Sequence, residues 1–150
     1  MTRINLISVK HLLDQHLVAE YRELPMVCAA LKRSLTAKKM PKIATQFLLN
    51  TGHVSFFYNK QHFLADRYAS LVVELTRRGF VTNNPFHRVN WGPFGYVTQI
   101  DWTPRQRDID LSVDRIITRV EQKPLWYRYK RQPVTFDWYH AALQKRGYNL

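Results

Sequence analysis

The first 40 residues carry apolar positions at helical spacing. After Ser8, a candidate N-cap, leucines recur along one helix face, at Leu12, Leu13, Leu17 and Leu24. Pro25 has no amide proton, so the first helix should end or kink there. A second apolar stripe follows in residues 26–35. The pattern therefore predicts two helical stretches that meet at the proline.

Two further stripes predict the other main helices. One covers residues 59–78, with Asn59 as its cap and Gly79 just past its end. The other covers residues 103–123 and begins with a Thr-Pro pair followed by a glutamine, a pattern typical of helix starts. Between them, residues 80–102 are rich in Pro, Gly and aromatic residues, which predicts a long irregular loop packed on the helices.

The end of the chain is aromatic and basic. In residues 126–131 aromatic and basic side chains interleave, and residues 132–150 form a C-terminal extension with a short helix from Asp137 and no assigned role. We therefore predict an all-α fold: a compact single domain over residues 1–150. It should have about three to four main helices, long irregular loops and an aromatic C-terminal segment.

The composition limits which classes of partner and which cellular compartment are compatible with this chain. The formal net charge of +12 and the pI near 10.1 favour a polyanionic partner, with DNA, RNA and an anionic membrane equally compatible. A hydrophobic content of 45% excludes a disordered chain. The single cysteine, Cys28, excludes a disulfide framework and is expected to be a small buried side chain. With no secretory or membrane-spanning segment, we expect a cytoplasmic protein.

Candidate chemistry lies on the first helix. On a helical wheel His16, Glu20 and Glu23 fall within the arc of the leucines, whereas Arg22 lies off it. A buried carboxylate suits acid–base catalysis, but pairing of both glutamates with nearby arginines accounts for the spacing equally well. The same three residues form only a weak metal-ligand set, since one histidine and two glutamates on one helix have no second cluster to complete them.

Several stretches of the chain closely resemble the pyrimidine-dimer DNA glycosylases, the phage endonuclease V family. MTRIN, DQHL and AEYRELP follow one another at the family spacing, and GHVSFFY, LTRRGF and KPLWYRY match later landmarks. The resemblance covers residues 1 to about 131. It implies a small all-helical repair enzyme that excises ultraviolet-induced cyclobutane pyrimidine dimers from duplex DNA. The same enzyme then nicks the strand as an abasic-site lyase.

The resemblance also implies roles for individual residues. The nucleophile would be the main-chain amine of Thr2, freed by removal of Met1, and the catalytic carboxylate would be Glu23. The resemblance places DNA contacts on Arg3, Gln15, His16, Arg22, Arg115, Arg119 and Lys123. The interleaved aromatic and basic residues, and the family's aromatic segment near the lesion, add Trp126, Tyr127 and Tyr129, although a core position suits Trp126 equally well. One departure is Met26, where the phage enzyme has an arginine, so one phosphate contact is missing or is supplied elsewhere.

The implied chemistry agrees with the residue types. An α-amino group has an ordinary pKa of about 8 against about 10.4 for lysine, so far more of it is neutral and nucleophilic near neutral pH. Neighbouring arginines should lower that pKa further. No cofactor is required, and we expect a monomer with double-stranded damaged DNA as its partner, no membrane and no obligate protein partner. Two alternatives stay open: a noncatalytic basic DNA-binding protein, and a related glycosylase/lyase acting on ring-opened purines or abasic sites.

Overall fold

A computed structural model describes residues 3–95 and 99–150. Within these ranges the secondary structure is mostly helical, which confirms the predicted all-α fold. The helices are α1 Asp14–Thr36, α2 His53–Phe56, α3 Gln61–Arg77, α4 Gln106–Gln122 and α5 Phe136–Lys145. A short antiparallel hairpin joins β1 Arg128–Tyr129 to β2 Gln132–Pro133, and 3₁₀ turns cover Val9–His11 and Gly92–Phe94.

Helix α1 is continuous through Pro25. Of the two expected outcomes, an end or a kink at this proline, the end is therefore wrong, whereas the predicted helix after the proline is confirmed. Helix α1 runs through the proline for 23 residues, and it begins at Asp14, with Ser8 preceding only the short 3₁₀ turn. An interior proline costs a helix about 3 kcal/mol. Leu17, Leu24 and Leu31 are almost fully buried on both sides of it, and the burial of these side chains offsets that cost.

The ends of α3 were only partly predicted. Gly79 follows the helix with φ +85°, and Phe80 N–H donates to the Leu75 carbonyl at 2.9 Å, so the predicted glycine end is confirmed. At the start of α3, Lys60 is the N-cap and Asn59 precedes it.

Helix α4 starts later than predicted. It begins at Gln106, because Arg105 N–H donates to Asp108 Oδ2 at 2.9 Å and closes the first turn. Gln106, expected to complete that turn, instead donates to Asp110 on the helix surface. The predicted irregular loop in residues 80–102 is confirmed in its described part, where the 3₁₀ turn is the only regular element.

The core surrounds α1. This helix packs against α3, and the aromatic rings of Phe47, Phe56, Phe57 and Trp102 form an edge-to-face cluster beside it. Cys28 is buried as expected, and burial raises the pKa of its thiol to about 11. Helix α5 adds Tyr139 and Leu143 to the core, so the C-terminal extension is an integral part of the fold.

Candidate active site at the N-terminal segment

The chain enters the structure as an extended segment held by side chains. Each successive N–H group from residue 3 to residue 6 donates to a side-chain acceptor. The acceptors are Glu23 Oε2 at 3.1 Å, His53 Nε2 at 2.8 Å, Glu20 Oε1 at 2.9 Å and Ser112 Oγ at 3.2 Å. These side chains come from α1, α2 and α4. The position of the N-terminal segment is therefore fixed one residue at a time.

Glu20 serves the fold. Its side chain is fully buried and accepts two hydrogen bonds from the Arg67 guanidinium, at 2.5 and 3.0 Å. It also accepts from the backbone and side-chain nitrogens of Asn5, both at 2.9 Å. Arg67 Nη1 also donates to the Ile7 carbonyl at 2.8 Å. Of the two interpretations of the carboxylates, pairing with an arginine is therefore correct for Glu20.

Glu23 lies one helical turn further along and is half-buried. Its Oε2 accepts from the main-chain nitrogen of Arg3, the first residue of the described chain. Burial lowers the pKa of Arg3 and of Arg115, and the negative charge of Glu23 partly offsets that lowering in both. The structure thus places this carboxylate beside the N-terminal end of the chain.

A cluster of cations surrounds Glu23. The pKa of Arg3 is lowered by burial and then by Arg119, which Glu23 opposes. The pKa of Arg115 is lowered by burial, then by Arg3 and Arg119. The three arginines therefore repel one another, and Glu23 attracts two of them, Arg3 and Arg115. Such a local surplus of positive charge favours an anionic ligand such as a phosphate.

His16 lies under the same cluster. Its ring stacks on Tyr127 with centroids 4.8 Å apart, and its Nδ1 is buried with no hydrogen-bond partner in the described part of the chain. Burial, followed by Arg115 and Arg119, lowers its pKa to about 4, so it is neutral near pH 7. Within residues 3–95 and 99–150 no three metal-ligating side chains converge, and Glu20 is already held by Arg67. The structure thus gives no support to the metal interpretation.

Gln15 anchors the aromatic segment to α1. Its Nε2 donates to the Trp126 carbonyl at 2.7 Å, and its Oε1 accepts from the Arg128 N–H at 3.0 Å. The carboxylate of Asp14 accepts from the N–H groups of Lys130 and Arg131, at 3.1 and 2.7 Å. Two neighbouring residues of one helix thus fix both ends of the segment.

A groove of about 490 Å³ opens between α1 and this segment. We call it the Trp126 groove; Gln15, Val18, Arg22, Phe80, Trp126 and Arg131 line it. The Arg131 guanidinium lies 4.7 Å from the centre of the Phe80 ring, and Trp126 is 53% exposed. Aromatic faces beside guanidinium groups suit a nucleobase with its phosphate.

The remaining predicted site residues occupy different positions. Arg119 and Lys123 are exposed on α4 and just past its end, and Lys123 Nζ lies 4.9 Å from the Trp126 ring. Tyr127 is buried against His16, whereas Tyr129 points to the other side of the hairpin and covers Arg78. Met26 is 52% exposed. Thr2, the predicted nucleophile, lies outside the described residues.

His53 holds the N-terminal segment, a role that the sequence did not reveal. Its Nε2 accepts from Ile4 N–H, so its Nδ1 carries the proton and donates to the Leu48 carbonyl at 2.6 Å. Burial lowers its pKa to about 4. Arg67 and Ser112 were not predicted as site residues, because their partners lie 47 and 106 positions away and no local pattern marks them. Arg128 and Arg131 could have been predicted as site residues, because they belong to the interleaved aromatic and basic residues of the segment 126–131.

A family model described as pyrimidine dimer DNA glycosylase matches residues 1–88. The matched part contains α1, α2 and α3, and with them Arg3, Gln15, His16, Arg22 and Glu23. Helix α4, the hairpin and α5 follow it. In the described part of the chain no helix has the length and apolarity needed to cross a membrane.

Proposed function

The chain belongs to the pyrimidine dimer DNA glycosylase family, and from this premise we propose a two-step reaction on DNA. The enzyme excises ultraviolet-induced cyclobutane pyrimidine dimers through an imine formed by the Thr2 amine. It then nicks the strand by β-elimination. The single observation that carries this proposal is the 3.1 Å hydrogen bond from Arg3 N–H to Glu23 Oε2.

That bond holds the main chain of Arg3 against the Glu23 carboxylate. Thr2 is one residue from Arg3, and one residue of extended chain spans about 3.6 Å at most. We therefore propose that the free amine of Thr2, once Met1 is removed, acts beside Glu23. The four N–H contacts of residues 3 to 6 supply the rigidity that such a nucleophile needs.

The chemistry follows from these two groups. The neutral amine attacks C1′, the glycosidic bond breaks, and the departing base keeps the bonding electrons and takes up a proton. The Glu23 carboxylate stabilises the cationic sugar and the protonated imine that forms when the sugar ring opens. Removal of a C2′ proton, by Glu23 or a water it orients, then expels the 3′ phosphate, and hydrolysis of the imine releases the enzyme.

The surrounding arginines contribute in two ways. Arg3, Arg115 and Arg119 hold backbone phosphates beside the lesion, where they fix the sugar against the amine. Their positive charge also favours the neutral amine over the ammonium, which raises the nucleophilic fraction near neutral pH. The reaction needs no cofactor, because the electron sink is the imine itself.

Access to C1′ requires local opening of the duplex. We assign the Trp126 groove to the extruded nucleotide, with Trp126 and Phe80 offering ring faces and Arg22 and Arg131 facing its phosphates. Unstacking costs a few kcal/mol and is cheaper at a damaged step. The protein acts as a cytoplasmic single-domain monomer that scans DNA through its basic surface. Met26 is exposed and replaces an arginine of the phage enzyme, so the surface has one cation fewer for DNA, and a wider lesion range is the second candidate function.

A panel of duplexes, each with one defined lesion, tests this function. The wild type should incise the cis-syn thymine dimer and the abasic site, and Glu23→Gln should lose at least about 100-fold in dimer incision. Glu121→Gln, which removes an exposed carboxylate from α4, is the matched control and should stay near wild type. Incision of ring-opened purines but not of dimers would favour the wider lesion range. Binding without any incision would leave a noncatalytic DNA-binding protein.

A further inference from the structure

A second cationic groove lies on the other side of the hairpin. It has a volume of about 570 Å³, and we call it the Arg146 groove. Its lining includes Lys10, His11, Arg77, Tyr129, Lys130 and Arg146. None of these residues except Tyr129 belongs to the predicted DNA-contacting set, and Arg146 comes from the C-terminal extension.

The extension builds one wall of this groove. Tyr139 OH donates to the His11 carbonyl at 2.7 Å, and Tyr148 OH lies 2.9 Å from His11 Nδ1. On the opposite wall Tyr129 OH donates to the Lys10 carbonyl at 2.8 Å, and its ring covers the Arg78 guanidinium at 4.8 Å. The groove is therefore a fixed feature held by three tyrosines.

The charges of the groove do not balance. Arg78 at its floor is fully engaged by Asp14, Glu74 and the carbonyls of residues 9, 10 and 12. Five cationic side chains thus face two carboxylates, Glu74 in the lining and Asp14 behind it, which leaves three positive charges. Lys10, Lys130 and Arg146 form no salt bridge with the described residues.

His11 adds a neutral donor. Ser8 N–H donates to the Tyr148 oxygen at 3.1 Å, so the Tyr148 hydroxyl proton is free to point at His11 Nδ1. That arrangement leaves the imidazole proton on Nε2. Burial is the main cause that lowers the pKa of His11, and the charges of Arg146 and Lys10 lower it further. Glu74 offsets only part of this, so the ring is neutral near pH 7.

A purely structural role accounts for only some of the cationic side chains in the Arg146 groove. Arg78 and Arg146 cap the ends of α3 and α5, where cations offset the negative ends of helix dipoles. Lys10 lies in the 3₁₀ turn and Lys130 in the hairpin turn, at φ +48°, so neither serves an α-helix end. Their convergence with Arg146 around one groove needs another reason.

We propose that the Arg146 groove binds a phosphate group, supplied by the DNA backbone beyond the lesion. Lysine and arginine side chains with an uncompensated charge are the usual ligands of phosphate oxygens. The C-terminal extension thus gains a role, since it brings Arg146 and Tyr148 to a second backbone contact. The DNA part of this proposal rests on the proposed function, whereas the phosphate site itself does not.

Imidazole NMR of His11 tests the phosphate site directly. Titration of the full-length protein with inorganic phosphate should move the His11 signals and raise its pKa, because a bound anion offsets Arg146 and Lys10. The double variant Lys10→Gln/Arg146→Gln should lose this response, and the charge-preserving Lys10→Arg/Arg146→Lys should keep it. Lys38→Gln/Lys39→Gln removes two exposed cations elsewhere and serves as the control. An unchanged His11 signal with both phosphate and duplex DNA would overturn the site.

Salt-dependent DNA binding identifies the source of the phosphate. For an undamaged duplex, the slope of log affinity against log salt should become shallower by about 1 in Lys10→Gln/Arg146→Gln, as expected for one lost phosphate contact. An unchanged slope with a retained phosphate response would assign the groove to free phosphate and refute the DNA part. Dimer incision by the wild type reports separately on the proposed function, so the two failures are distinguishable.

Discussion

Two glutamates one turn apart on α1 have different environments. Glu20 is enclosed by Arg67 and Asn5, whereas Glu23 touches only the main chain of Arg3 among the hydrogen bonds of the described residues. Their helical spacing predicts that both face inward. It could not predict which one finds an arginine, because Arg67 is 47 positions away. The catalytic assignment of Glu23 therefore depends on the resemblance and on its place beside the N-terminal end.

Removal of Arg67 should strongly lower the free energy of unfolding. Arg67→Ala leaves the Glu20 carboxylate buried without its cation, and breaking such a pair costs about 3–5 kcal/mol. The urea midpoint should fall accordingly. Arg77→Ala removes an exposed arginine on the same helix and should cost under about 1 kcal/mol. Equal effects of the two substitutions would contradict the role given to the Glu20–Arg67 pair.

His53 should make the protein acid-sensitive. Protonation of Nε2 sets N–H against the Ile4 N–H, and the pKa of about 4 lies below the ordinary histidine value of about 6.5. The unfolded chain therefore binds more protons between these values, so stability is lost as the pH falls from about 6.5 to 4. The slope should approach about 1.4 kcal/mol per pH unit for this residue. Urea unfolding of His53→Gln should show a shallower pH dependence; an unchanged slope would refute this.

At the scale of elements, the helices follow the apolar spacing and their ends do not. The leucine stripe predicts α1 correctly on both sides of Pro25. The proline does not end the helix, because burial of the leucine side chains outweighs one lost hydrogen bond. The start of α4 depends on Asp108, which accepts a hydrogen bond from the Arg105 N–H, so the helix begins after the Thr-Pro pair and not at it. Gly79 was predictable because a positive φ favours glycine strongly.

The hairpin should loosen when its anchor is removed. Gln15→Ala loses the bonds to the Trp126 carbonyl and the Arg128 N–H, at a cost of about 1 kcal/mol. Faster hydrogen exchange at Arg128 and weaker binding of a dimer-containing duplex should result. Gln144→Ala, an exposed glutamine of α5, is the control and should leave both unchanged. Normal protection of Arg128 in Gln15→Ala would show that Asp14 alone fixes the segment.

At the scale of the whole molecule, the positive net charge predicts a polyanionic partner. The structure shows how that charge is distributed over the surface. Positive side chains gather around Glu23, along the Trp126 groove and in the Arg146 groove. The net charge of +12 could not reveal these three places, because each combines residues from distant parts of the chain. The role of the C-terminal extension was equally hidden, since Tyr139 and Tyr148 both contact His11, more than 125 positions earlier.

Borohydride trapping tests the central claim most directly. Protein with a verified free Thr2 amine is mixed with a duplex that holds one cis-syn thymine dimer, and the imine is reduced and mapped by mass spectrometry. We predict a cross-link on the Thr2 amine that is strongly diminished in Glu23→Gln. A cross-link with an abasic site alone would contradict the dimer as substrate. The absence of any cross-link, with the dimer and with the abasic site, would contradict the imine mechanism itself.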